Sequence, residues 1–135
     1  MDQPAEAATT ARPGPAATIF LVDDSADVGD MLVVLLGKAG YVAHEFNDPL
    51  RALEALEAAD PKPQLLVTDF RMPGINGLEL MRRSKLIHPE LKIISASGHM
   101  PQEQVAKYTV QPDRFLPKPY TSAKLLELVK ELLAE

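Results

Sequence analysis

Five short apolar runs, four of them followed by an amphipathic or helix-length stretch before the next run begins and the fifth by a last one, constrain this chain more than anything else in it. The runs are TIFLV at 18–22, YVAHEF at 41–46, QLLVT at 64–68, LKIISA at 91–96 and RFLP at 114–117. TIFLV is continuously apolar, as a strand buried on both faces must be. Between the runs lie helix signals. Ser25 caps a helix reaching about Ala39, which Gly40 stops. Asp48 and Pro49 form a cap and first-turn proline that open a second helix through Ala58, before DPKP. Leu78, Met81, Leu86 and Ile87 supply the apolar positions of a third, which ends before Pro89. A short, weakly specified helix is expected over Pro101–Tyr108. A last one covers Thr121–Leu133, with Leu125, Val129 and Leu132 on one stripe. Alternation of this kind forces right-handed crossovers, so the expected class is α/β: a doubly wound, five-stranded parallel sheet with five helices on its two faces, taken in the common doubly wound order 2-1-3-4-5.

At 135 residues the chain is one domain's worth, long enough to bury about two-thirds of its unfolded surface. A hydrophobic share of 46% beside 24% charged residues fits an ordinary globular domain. Residues 1–17, MDQPAEAATTARPGPAA, have no periodic apolar face and read as a flexible tail, leaving 18–135 as the domain. The sequence has no Cys, which removes disulfides, thiolate zinc sites and Cys nucleophiles together. A net charge of -5 without a Lys/Arg cluster argues against direct contact with nucleic acid. The longest apolar run, Met31–Leu36, is far too short to span a bilayer, and no secretion signal is visible. The expected location is the cytoplasm.

The chemistry lies at the strand ends. In such sheets ligands sit beyond the carboxyl ends of the strands where strand order reverses, here between strands one and three. Strand one runs into Asp23 and Asp24, and strand three into Asp69. Three converging carboxylates would repel one another and take up protons, a conflict that a hard divalent cation resolves. Mg2+ is the expected ion, with Mn2+ as its substitute. Strand four supplies the hydroxyl of Ser97 and strand five the ammonium of Lys118. A hydroxyl, a fixed cation and a metal around one carboxylate make a site for three phosphoryl oxygens, with Asp69 as the acceptor of the phosphoryl group. Each residue alone has a plainer reading: the acidic pair as a solvated helix cap, Ser97 as a turn residue, Lys118 as a solvated strand end. Their joint placement decides against those. His44, His88 and His99 lack metal-ligand spacing, and Met72, Met81 and Met100 read as packing.

The acidic pair after strand one, TDFRMPGINGLEL around the acceptor, Ser-Gly after strand four and Lys-Pro after strand five resemble the receiver domain of two-component response regulators, of the chemotaxis-regulator-like kind with a flavodoxin-like fold. The likeness covers the whole chain except the tail. It implies a phosphoprotein of signal transduction, in which a histidine kinase or phosphotransfer protein donates a phosphoryl group to Asp69. It further implies that Asp24, Asp69 and the main-chain carbonyl of Arg71 bind Mg2+, with Asp23 acting chiefly through water. Lys118 would pair with the phosphoryl group, Ser97 would hydrogen-bond it and shift, Phe115 would swing inward, and the Lys118–Pro119 bond would be cis. Such a domain is a switch rather than an enzyme, although it catalyses its own phosphorylation and dephosphorylation. Arg71 and His99, two residues after Asp69 and Ser97, are expected to tune the acyl phosphate's lifetime. The signal would leave through the fourth helix, the fifth strand and the last helix, toward a downstream effector or a second copy of the chain, with no direct nucleic acid and no membrane. Met1 and the tail suggest a stand-alone or N-terminal placement. Two departures stand out: YTVQPDRF has no Gly-Ala-like turn before strand five, and Phe115 lacks a tyrosine's hydroxyl. The alternatives are a phosphorylation-independent receiver-like interaction module, an Asp-nucleophile phosphatase or mutase, for which no long cap insertion exists, and a flavin-phosphate module, whose anion DDSAD would repel.

Overall fold

Ile19, Phe20, Leu21 and Val22 are all buried, so the first apolar run is covered on both faces, as a central parallel strand requires. The structure, a computed structural model, describes residues 17–23, 26–69, 77–97 and 112–134, without the side chains of Ala26, Leu78 and Ser97. Along the chain run β1 (Thr18–Val22), α1 (Ala26–Lys38), β2 (Val42–Phe46), α2 (Pro49–Ala58), β3 (Leu65–Asp69), α3 (Gly77–Ile87), β4 (Lys92–Ser97), β5 (Arg114–Pro117) and the C-terminal helix α4 (Ser122–Ala134). The strands form one parallel sheet in the order β2-β1-β3-β4-β5. This is the expected doubly wound order, with four helices among the described residues. The short helix expected over 101–108 and the tail to residue 16 lie outside them.

Local chemistry sets the helix ends. At the end of α1, Gly40 takes a φ of 98°, and the amides of Gly40 and Tyr41 donate to the carbonyls of Gly37 and Leu36. That pair of bonds is the Schellman closure, whose left-handed residue is best a glycine. At α2 the Asp48 carboxylate accepts from the Leu50 amide at 2.9 Å, with Pro49 at the first helical position. Lys62 donates to the carbonyls of Leu56, Glu57 and Ala59 at 2.8–3.0 Å, satisfying the other end of that helix. Thr121 caps the C-terminal helix through its Oγ1, which accepts from the Lys124 amide at 3.0 Å.

Side chains alternate across the strands, so each strand feeds two apolar clusters. Ile19, Leu21, Leu65, Val67, Ile94, Ala96 and Leu116 meet Leu32 and Leu36 of α1 and Leu125, Leu128, Val129 and Leu132 of the C-terminal helix. Phe20, Val22, Leu66 and Ile93 meet Ala52, Leu53 and Leu56 of α2 and Leu80 and Met81 of α3. On α3 the sequence pattern misplaces one side chain: Leu86 is 71% exposed, while Leu80, Met81 and Ser84 are buried and Ile87 packs beside them. The buried stripe follows the spacing 80, 81, 84 and 87, and Leu86 falls on the opposite side of the helix.

Candidate functional site

Two strands run one residue farther toward the site than the apolar runs alone indicate. Asp69 is still paired, with Ala96 of β4, and Ser97 is paired with Pro117 of β5. The acceptor candidate is therefore held by the sheet rather than by a loop. Asp23 directly follows β1 and donates its amide to the Phe46 carbonyl at 3.1 Å, so it too has a fixed backbone. Because β1 pairs with both β2 and β3, the reversal of strand order falls between Asp23 and Asp69, where a ligand site is expected in this architecture.

Lys118 closes the group from the end of β5. Its Nζ donates to Asp69 Oδ2 at 2.8 Å and stands 3.9 Å from Asp23 Oδ2. The two carboxylates are well covered, with side-chain exposures of 12% for Asp69 and 16% for Asp23, against 34% for Lys118. Burial by itself would lower the Lys118 pKa, but the hydrogen bond and charge of Asp69, with Asp23 adding to them, outweigh it and hold the group above 10.5. Lys118 is thus a permanent cation here. The Lys118–Pro119 peptide bond is cis, as the resemblance implies.

Tyr120 belongs to the neighbourhood and was not singled out by the sequence reading. Burial raises its pKa, with Asp23 and Asp69 adding to the shift and Lys118 opposing it. It lines a groove of about 460 Å³ with Val28 and Met31 of α1, Lys118, Pro119 and Ser122. Its position directly after Lys-Pro was the available signal.

The structure brings Asp23, Asp69 and Lys118 together and carries the backbone of Ser97 to the same end of the sheet. Phe115 is on β5 and 45% exposed, so it is no ordinary core residue. Asp24, Arg71, His99 and the side chain of Ser97 lie outside the described residues. His44 is exposed on β2, its ring perpendicular to that of Phe20 with centroids 6.0 Å apart.

Asp69 held in a strand, Asp23 across the switch point and Lys118 bonded to Asp69 thus stand together. The sequence model of the response regulator receiver domain matches residues 19–130. This chain belongs to that family. The receiver is 33% identical over 122 residues to the response regulator receiver protein CpdR of Brucella abortus, an alignment covering 85% of this chain and 95% of that one. It is 34% identical over 120 residues to the sensor kinase CckA of the same organism, covering 87% of this chain and 12% of the kinase. The receiver likewise spans only 24% of the DNA-binding transcriptional regulator NtrC of Escherichia coli, at 32% identity. Among solved structures, a receiver protein from Sinorhizobium medicae superposes with a TM-score of 0.77 at 33% identity, covering 88% of this chain and 95% of that one. A CheY-like receiver domain from Methanospirillum hungatei gives 0.81 at 25% identity, covering 88% and 94%. No helix among the described residues is long and apolar enough to cross a membrane.

Proposed function

We propose that this receiver accepts a phosphoryl group on Asp69 from the phosphohistidine of a histidine kinase or phosphotransfer protein, in a reaction that needs Mg2+, and that the acyl phosphate switches the chain's outer surface. The observation that carries this reading is the 2.8 Å bond between Lys118 Nζ and Asp69 Oδ2, with Asp23 beside it. A buried structural ion pair would not need a second acid at the reversal of strand order.

The donor set fits a hard cation. Asp23 and Asp69 offer carboxylate oxygens from adjacent strands, and Asp24 and the Arg71 carbonyl would complete the ligands. When bound, the ion neutralises the meeting of an anionic acceptor with an anionic phosphoryl group. Asp69 attacks phosphorus through a carboxylate oxygen; the new P–O bond forms as the donor's P–N bond breaks, and the imidazole leaves and takes up a proton. Lys118 orients the carboxylate at rest. Afterwards it pairs with a phosphoryl oxygen, a charge-assisted bond stronger than a neutral one. Ser97 donates its hydroxyl to another such oxygen, and Phe115 turns inward in response. Arg71 and His99 flank the approach of the hydrolytic water and set the lifetime of the phosphoryl group. The product is a signal rather than a released metabolite. Its reader is a downstream effector or a second copy of the chain, docking on the surface of β5, the C-terminal helix and the segment between β4 and β5, in the cytoplasm. Mn2+ should substitute for Mg2+.

Intact mass after incubation with acetyl phosphate and Mg2+ tests the assignment. One added phosphoryl group is expected in the wild type, and none in Asp69→Asn or in excess chelator. Uptake that survives either treatment contradicts the proposal.

A further inference from the structure

Ser95 lies within β4 with 1% of its surface exposed, and its hydroxyl is a buried polar group without a hydrogen-bond partner among the described residues. A buried hydroxyl left unpaired carries a desolvation cost, and a serine fills little apolar volume. The resting fold therefore gains neither a bond nor much packing from this residue. What remains distinctive about it is small size.

The strand register says where that size matters. Ser95 pairs with Thr68 of β3 on one side and with Phe115 of β5 on the other. Partners in a ladder share a face, and adjacent strands lie about 4.8 Å apart. The face is that of Ile93, two residues earlier on β4, which belongs to the cluster under α2 and α3. Among the described residues that cluster takes nothing from β5. At this level the sheet presents Val22, then the small polar side chains of Thr68 and Ser95, then the 45% exposed ring of Phe115.

We propose that Ser95 is the seat for the Phe115 ring: on phosphorylation of Asp69 the ring turns from solvent onto β4, and residue 95 must be small for it to land there. The inference rests on the switching role given to Phe115 above and adds the residue that limits it. An inward ring withdraws apolar area from water across the backbone and Cβ of its strand neighbour. A branched aliphatic side chain at 95 would occupy the same space. Ser95 does not touch the acceptor, so it is a positioning residue that acts through Phe115.

Labelling with 4-fluorophenylalanine gives one fluorine resonance for each of the 4 Phe, and the signal of Phe115 is the one lost in Phe115→Leu. Adding beryllofluoride and Mg2+ is expected to move that resonance and reduce its solvent isotope shift in wild type and in Ser95→Ala. In Ser95→Val, whose β-branched side chain suits a strand, the displacement should fall by at least half, and in Ser95→Leu it should vanish. Phosphoryl uptake from acetyl phosphate, read by mass on the same four proteins, should stay within twofold. A full displacement in Ser95→Val, or a lost one in Ser95→Ala, overturns the proposal. So does a wild-type Phe115 signal that stays put although Asp69 is phosphorylated, an outcome that leaves the proposed function standing. Absence of uptake from wild type overturns the proposed function, and this inference with it.

Discussion

Leu116 and Phe115 are neighbours on β5 that point to opposite faces of the sheet, and the two faces have different characters. Leu116 is 1% exposed and locked among Ile94, Ala96 and the C-terminal helix residues Leu125, Leu128, Val129 and Leu132. Phe115 is 45% exposed, beside a row of buried polar residues that includes Thr68 and Ser95. One face is closed by apolar contact along all the strands from β1 to β5 except edge strand β2, which adds only a partly buried Ala43. The other is closed only as far as β4 among the described residues. A close-packed side chain such as Leu116 resists small displacements, whereas a half-exposed one such as Phe115 shifts at lower cost. Under the proposed function, a switch built on this sheet is held at Leu116 and moves at Phe115.

The largest expected effect breaks the locked face. Leu116→Ala should cost about 2–5 kcal/mol, the range for truncating a buried leucine, measured by denaturant unfolding. Next comes the link between site and surface. Lys118→Ala should leave the fold and Mg2+ binding largely intact but uncouple phosphorylation from conformational change, a loss of about 1.5–3 kcal/mol for a charge-assisted bond. Its absence would show as a missing beryllofluoride-induced spectral change. The same residue predicts a pH dependence. Because its folded pKa is raised above 10.5, the stability it contributes is complete below that pH and is lost as pH rises through the folded value. Wild type should therefore weaken more steeply than Lys118→Met above about pH 10.5. Smaller again are the changes on the Phe115 face: Phe115→Ala should cost about 1 kcal/mol, since half of the ring is already in water, and Ser95→Ala should stabilise by about 1 kcal/mol by removing an unpaired hydroxyl. A cost for Phe115→Ala equal to that of Leu116→Ala would erase the contrast between the faces. Least of all is Glu79. Arg82 and Arg83 hold its carboxyl at about 2, but the cluster is largely in water. Solvent screening leaves about 0.3–0.5 kcal/mol, present above pH 4.5 and lost as pH falls toward 2, which Glu79→Gln should abolish.

All five strands are legible in the sequence because each is a compact apolar run between recognisable caps and stops, such as Asp48–Pro49 and Gly40, while the sheet order comes from the doubly wound precedent that such alternation and the family resemblance share. Asp23, Asp69 and Lys118 are legible because strand ends in a parallel sheet converge, so residues 49 positions apart meet. What stayed hidden depends on tertiary packing. Hydropathy alone cannot tell that Leu86 faces water while Ser84 is buried, since the face of α3 that meets the sheet is settled by Leu80 and Met81 together. Ser95 looks like part of an apolar run, and its importance appears only when the register sets it beside Phe115. Tyr120 needed the cis turn and the charges around it to become visible.

Amide hydrogen exchange with and without beryllofluoride and Mg2+ tests most directly whether the signal travels along the face that carries Phe115. The account predicts altered protection between residues 97 and 120, which join Ser97 to Lys118 through Phe115, with little change in β1 and α2. Changes confined to the first and second helices, with 97–120 silent, would contradict it.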